Sequence, residues 1–299
     1  MTLTSDICEL NITGLTADSR AVKPGFLFAA MPGSTVDGRE FTTSALQNGA
    51  VAILAPEGTD APKEGVLITA QDPRAAFAHI SAAFYEVQPN TIAAVTGTNG
   101  KTSVAQFTRQ IWSEMGKQAA SIGTLGIQMP KGSVKPSLTT PDPVTLQANL
   151  AELWRQNVTH AIVEASSHGL HQKRLNNLNF KGGIFTNFSQ DHLDYHKSMS
   201  SYLKAKLILF ESILKKNKTI ISDSSLKEFS FLQKISKKRK LFLQDIKQIE
   251  KKIKKIKKLK LNEFQLKNLS MAILALKLCK LKEKKIFKKL DKIKQINGR

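Results

Sequence analysis

The chain has 299 residues, 41% of them hydrophobic, and its 45 Lys and Arg against 24 Asp and Glu give a net charge of +21. That length allows about two domains and a sizeable core, while only two cysteines, Cys8 and Cys279, exclude a disulfide framework. The N-terminus lacks a basic segment followed by an apolar stretch, and no window reaches the ~18 uninterrupted apolar residues of a membrane span, so a soluble, cytoplasmic protein without membrane insertion is expected.

Residues 1–88 hold apolar strand-like runs at "GFLFAAM", "AVAILA" and "GVLIT", separated by turns rich in Gly, Pro and Asp. Helical stretches, "REFTTSALQNGA" and "DPRAAFAHISAAFYEV", alternate with them, which predicts a small α/β domain. The "QPN" at 88–90 is its expected boundary. From residue 89 to 299, strand-like runs recur at "TIAAVTG", "AASIGTLGI", "THAIVEAS", "KGGIFTNFS" and "KTIISD" with helical stretches between several of them. That alternation predicts a parallel sheet, with ligands gathered at the carboxyl ends of its strands.

The first of these runs leads into "TGTNGKTS", a loop that departs from the usual phosphate-loop pattern because Val95 stands where its first glycine would be. The chemistry still points to an anion. Gly97 and Gly100 let backbone N–H groups approach a phosphate, and the helix starting near Lys101 aims its positive end there. Lys101 adds a cation, and Thr102 a hydroxyl for a phosphate-bound magnesium ion.

Glu164 ends the run "AIVEAS", so a parallel sheet delivers its carboxylate to the edge that carries this loop, either to hold magnesium or to cap the next turn. Five of the six histidines fall between residues 160 and 196. They lack a zinc-type His-x-x-x-His pair with a nearby Glu, and no cysteine joins them; "QDHLDYH" after a strand reads instead as a loop reaching a nucleotide site, with His192 its functional candidate.

The charge excess is local. Residues 1–212 carry 17 basic and 17 acidic residues, residues 213–299 carry 28 and 7. In "KKIKKIKKLKL" and just before it, Ile249, Ile253, Ile256 and Leu259 are spaced like one face of a helix. Such a segment is a basic patch for nucleic acid or anionic membrane, or a solvated lysine face. Few arginines and little aromatic interleaving favour the solvated face, so no nucleic-acid partner is expected.

Together these stretches resemble the muramyl ligases, ATP-dependent enzymes that extend the peptide of the cell-wall precursor, whose superfamily includes the folylpolyglutamate synthetases. "TGTNGKT" is characteristic of the superfamily, and "LTADSRAVKPGFLFAAMPGSTVDG", "SLTTPDP" and "VEASSHGLHQKRL…FTNFSQDHLDYH" are similar to the members that add the third residue. The resemblance is dense over residues 14 to about 214 and returns weakly at "FQLKNLSMAILALKL" and "INGR".

The resemblance implies a UDP-substrate domain over 1–88 and a central ATP-binding domain over 89–299, lysine-rich and shortened after about 215, with the family's C-terminal ligase domain absent. Ala17, Ser19, Ser34, Thr35 and Val36 would hold the uridine diphosphate end. Thr139, Thr140, Ser166, Gln172 and Arg174 would bind sugar and peptide. Gly97, Thr98, Asn99, Gly100, Lys101, Thr102 and Ser103 would wrap the ATP phosphates, and Thr102, Glu164 and His192 would serve Mg2+. Lys206 falls where the family carries a carbamylated lysine. The implied catalytic set is Lys101, Glu164, His192 and Lys206. The implied reaction adds diaminopimelate or lysine to UDP-N-acetylmuramoyl dipeptide through an acyl phosphate, in a monomer. A non-catalytic ATP-binding protein with a basic tail and a folylpolyglutamate synthetase-like ligase are the alternatives.

Overall fold

The computed structural model describes residues 10–33, 36–135, 138–256, 259, 261–279 and 281–294. The chain divides into two compact units, Met1–Glu86 with Pro143–Gln147, and Val87–Asp142 with Ala148–Arg299.

The first unit is built on four strands, β1 (Gly14–Thr16), β2 (Phe26–Ala29), β3 (Ala52–Pro56) and β4 (Val66–Ala70), all parallel and in sequence order. Helices α1 (Thr42–Gln47) and α2 (Pro73–Tyr85) alternate with them. Asp72 caps α2 by accepting from the Ala75 N–H at 3.0 Å, and Pro73 fits the first turn, where an N–H has no helical partner. Leu27, Leu54, Ile68 and Phe77 close one side of the sheet, and Phe28, Ile53 and Ala55 the other. The three expected strands are present; β1, three residues long, was not expected.

The second unit contains β5 (Thr91–Thr96), α3 (Lys101–Glu114), β6 (Ala119–Gly123), β7 (Gly126–Met129), β8 (Gly132–Val134), the part of α4 (Pro143–Arg155) from Ala148 onward, β9 (His160–Glu164) and α5 (Ser167–His171). It continues with β10 (Phe180–Phe185), α6 (Leu193–His196), α7 (Met199–Ile208), β11 (Thr219–Ser222), α8 (Phe229–Arg239) and β12 (Phe242–Asp245). Helices α9 (Lys247–Lys254), α10 (Glu263–Lys277) and α11 (Glu283–Phe287) follow. Its sheet runs β12-β11-β10-β5-β9-β6-β7-β8. The strands from β12 to β6 are parallel, whereas β7 and β8 join antiparallel.

The expected mixed α/β, parallel-sheet architecture therefore holds, with two corrections. "AASIGTLGI" is not one strand: Gly126, at φ +77°, lets the chain reverse after Thr124–Leu125 and return as β7. "FLQD", too short and too polar to stand out in the sequence, is the edge strand β12.

Helix α3 buries Val104, Phe107 and Ile111, at helical spacing, against Leu269, Ile273 and Leu276 of α10. A reciprocal capping box between Asn262 and Gln265 starts α10. Ile249 and Ile253 face the same core, but α9 stops at Lys254, short of the expected face through Leu259; Ile256 and Leu259 pack onto the core from chain beyond the helix. Lys251 and Lys255, like charges one turn apart, oppose any extension. Glu283 pairs with both Lys252 and Lys277, so part of the lysine excess stitches α9 to α10. No helix among the described residues is long and apolar enough to cross a membrane.

Candidate active site

The carboxyl edge of the second sheet gathers the chemistry. Every residue of β5 from Ile92 is buried, and the chain leaves it through Gly97 (φ +140°) and Gly100 (φ +83°), the latter capping α3 in a left-handed conformation. A β-carbon at Gly100 would fall 2.6 Å from Asn268 Oδ1. The loop is held from the end of β10. The Thr98 and Asn99 N–H groups donate to the Asn187 carbonyl (3.0 Å) and to Asn187 Oδ1 (2.9 Å), and Thr186 Oγ1 donates to the Asn99 carbonyl at 2.6 Å. Thr98 Oγ1 donates to the Ser189 carbonyl at 3.1 Å and accepts from the Ser189 N–H at 3.0 Å.

Lys101 folds back over its own loop, donating to the carbonyls of Gly97 (2.9 Å) and Thr98 (2.7 Å). Burial lowers its pKa, opposed by the charges of Glu164 and Asp191. Thr102, in the first turn of α3, donates its hydroxyl to Glu164 Oε2 at 3.0 Å.

Glu164 ends β9 and is 2% exposed. Burial raises its pKa, while hydrogen bonds from Thr102 and Thr124 and the charge of Lys101 pull it down. Among the described residues no lysine or arginine forms an ion pair with it. A buried carboxylate beside a hydroxyl, both hard oxygen donors, fits magnesium, which commonly takes one or two protein oxygens and completes its shell with phosphates and water. Among the described residues no three His, Cys, Asp or Glu side chains group in a metal-binding arrangement.

His192 precedes α6 with left-handed backbone (φ +51°), its ring 5.0 Å edge-on to His168 and 5.9 Å from Tyr202. It is not bonded to Thr102 or Glu164. Its link to the loop runs through Tyr202, whose hydroxyl donates to Thr98 Oγ1 at 3.4 Å. Lys206 is 1% exposed and donates to the Gly97 carbonyl at 2.7 Å, with its ammonium 4.3 Å from the Tyr202 ring centroid. Burial, then the charge of Lys101, lowers its pKa to about 6.

The expected substrate set is partly assembled. Thr140 Oγ1 donates to the Glu164 carbonyl at 2.7 Å and accepts from the Ser166 N–H at 2.9 Å. Arg174 reaches the Thr140 carbonyl at 2.7 Å and grips Gln172 Oε1 through Nε and Nη2 at 3.1 and 2.6 Å. Thr139 Oγ1 lies 3.3 Å from Thr124 Oγ1. Ser103 follows Thr102 on α3. Ala17, Ser19 and Val36 belong to the first unit, and Ser34 and Thr35 lie outside the described residues.

Sequence reasoning missed Thr124, Thr186, Asn187, Asp191, Tyr202 and Asn268. Asn268 is 2% exposed with its Nδ2 unpartnered beside Gly100, and Asp191 acts electrostatically on Lys101 and Lys206. Asn187 follows β10 and Asn268 lies within α10, and only the tertiary fold brings them to the loop.

Comparison with known proteins fits this geometry. Residues 95–278 match the Mur ligase middle domain, and residues 11–86 the Mur ligase family, catalytic domain. The chain is 52% identical over 209 residues to the UDP-N-acetylmuramoyl-L-alanyl-D-glutamate–2,6-diaminopimelate ligase of Brucella melitensis biotype 1, a match covering 70% of this chain and 43% of that protein. The chain thus spans less than half the length of the curated relatives it matches. A solved structure of a protein with that name superposes with a TM-score of 0.80 at 25% identity, over 96% of this chain and 63% of that one. The Thermotoga maritima MurF ligase in complex with ADP shares the fold, with a TM-score of 0.58 at 15% identity over 97% of this chain and 68% of that one. With a middle-domain match across more than half its residues, a phosphate loop of the short type and a buried carboxylate set against it, the chain belongs to the Mur ligase family.

Proposed function

We propose that this chain carries the nucleotide- and substrate-binding part of a cytoplasmic ligase that adds 2,6-diaminopimelate to UDP-N-acetylmuramoyl-L-alanyl-D-glutamate at the expense of ATP. The observation that carries this reading is the buried Glu164 carboxylate on the Thr102 hydroxyl, beside the glycine loop that Lys101 folds over. The names of the relatives supply the substrate class.

In the proposed chemistry a substrate carboxylate oxygen bonds to the γ-phosphorus of ATP as the bond to the β–γ bridging oxygen breaks, releasing ADP. The amine nitrogen of the incoming amino acid then adds to the acyl carbon, and the tetrahedral intermediate expels phosphate as the nitrogen loses a proton to solvent. Such transfers rest on positioning and charge neutralisation. Residues Gly97 to Ser103 hold the phosphates, and Lys101 leaves its two carbonyl partners to meet them. Thr102, Glu164 and His192 would hold Mg2+, which would supply neutralisation of phosphate charge. Thr139, Thr140, Ser166, Gln172 and Arg174 hold the sugar and peptide, and Ala17, Ser19 and the 34–36 segment the uridine diphosphate. Lys206, an amine that is largely neutral at neutral pH, is suited to carbamylation.

Calorimetry with ATP analogues and with UDP-N-acetylmuramoyl dipeptide tests the reading: both bind, and a folate does not. Absence of dipeptide binding, or salt-sensitive binding to arbitrary DNA instead, would replace it with the non-catalytic alternative.

A further inference from the structure

The turn that reverses the chain between β6 and β7 does more than close a hairpin. Its first residue, Gly123, lies flat against Glu164: a β-carbon there would come within contact distance of Oε1, Cδ and Cγ of that carboxylate. The next residue, Thr124, meets the same carboxylate twice. Its backbone N–H donates to Oε1 at 3.1 Å, and its hydroxyl donates to Oε2 at 3.2 Å. With the Thr102 hydroxyl on Oε2, three donors from two elements hold both oxygens of a side chain that is 2% exposed.

We propose that Gly123 and Thr124 form a carboxylate cradle and that Thr124 is the positioning residue that orients Glu164 toward a nucleotide-borne divalent cation. The inference rests on the reading above, in which Glu164 serves magnesium. A carboxylate at a strand end has several rotamers, and burial alone disfavours its charged form. Donors on both oxygens stabilise the ionised form and select one rotamer, which is how outer partners tune a metal-facing ligand. Glycine is required because any side chain would occupy the space of the carboxylate.

The cradle also reaches the acyl-substrate side. The Thr124 hydroxyl has one proton, directed at Glu164, so across the 3.3 Å separation from Thr139 Oγ1 the Thr139 hydroxyl is the donor. A relay Thr139 to Thr124 to Glu164 joins the proposed substrate segment to the metal-facing carboxylate.

The test is a magnesium titration of β,γ-methylene-ATP binding, by calorimetry, on the full chain and on Thr124→Val, Thr124→Ser, Gly123→Ala and Glu164→Gln. Thr124→Val is expected to leave magnesium-free nucleotide affinity unchanged and to reduce the magnesium-dependent gain roughly tenfold. Thr124→Ser, which restores the hydroxyl, should titrate like the parent, and Gly123→Ala should lose the gain by displacing the carboxylate. Parent-like titration of Thr124→Val alongside a lost gain in Glu164→Gln overturns the cradle and leaves the metal reading standing. A serine variant as impaired as the valine variant overturns the cradle too. Parent-like titration of Glu164→Gln overturns both. If Thr124→Val fails to fold, Gly123→Ala decides by the same readout, and an unchanged gain there overturns the cradle.

Discussion

Lys101 and Lys206, 105 positions apart in the chain, donate to one and the same acceptor, the carbonyl oxygen of Gly97, at 2.9 and 2.7 Å. Burial disfavours the charged form of the Lys206 amine, and the Lys101 ammonium on the same carbonyl adds to this, so its pKa is lowered to about 6. At neutral pH its amine carries a free lone pair, the form that adds to carbon dioxide with loss of a proton. In isotope-labelled bicarbonate, the chain is expected to show one carbamate carbon signal by NMR that is absent from Lys206→Met. The same spectrum from both proteins would remove Lys206 from the proposed chemistry.

The same shift sets a pH dependence of stability. Unfolded, Lys206 keeps its ordinary value near 10.5 and binds a proton that the folded chain releases above about 6. Between those values the unfolded state holds more protons, so stability rises with pH through this window, and below about 6, where both states are protonated, the penalty stays constant. Differential scanning calorimetry should give a Tm for the parent that climbs across the window more steeply than that of Lys206→Met. Parallel slopes would mean the amine is not the titrating group.

Lys101→Met should reduce affinity for ATP at least tenfold, the equivalent of losing one charge-assisted bond of about 1.5–3 kcal/mol to a phosphate. The chain's melting should change little, because the two carbonyls that Lys101 bonds lie at the loop mouth. Equal nucleotide affinity in the two proteins, measured by calorimetry, would show that the lysine closes the loop without serving a phosphate.

How much of this was legible in the sequence depends on how local each signal is. The Gly97–Thr102 turn is written in consecutive residues, so strand, loop and helix follow from one stretch. The meeting of Thr102 and Glu164 follows from two apolar strands and the rule that parallel strands share a carboxyl edge. Lys206 gave no such sign, because its burial depends on α7 lying over the loop, and from the sequence alone it reads as an ordinary helix lysine. Thr124 was hidden inside a run taken as one strand; once Gly126 turns the chain, its hydroxyl and N–H face Glu164. In the lysine-rich segment, Ile249 and Ile253 were legible as an apolar face, whereas the pairing of Glu283 with two lysines depends on where α10 and α11 lie.

Arg174 offers the sharpest separation between binding the substrate and binding the nucleotide. Its guanidinium bonds the Thr140 carbonyl and takes Gln172 Oε1 with two nitrogens, while Thr140 is tied by its hydroxyl to the end of β9 and to Ser166. The fork therefore fixes the Thr139–Thr140 segment beside Ser166, in the cluster assigned to the sugar and peptide. Arg174→Lys keeps the charge but cannot make the planar, three-point grip, so the loss it causes measures geometry rather than attraction. Affinity for UDP-N-acetylmuramoyl dipeptide should fall by roughly ten- to a hundredfold, about 1.4–3 kcal/mol, at unchanged affinity for ATP. Raising the ionic strength should not widen the gap between the two proteins, since the charge is the same in both. A parallel loss of ATP affinity in the calorimeter would mean that the clamp acts on the carboxyl edge as a whole, through Thr140 and Glu164, and would remove Arg174 from the substrate set.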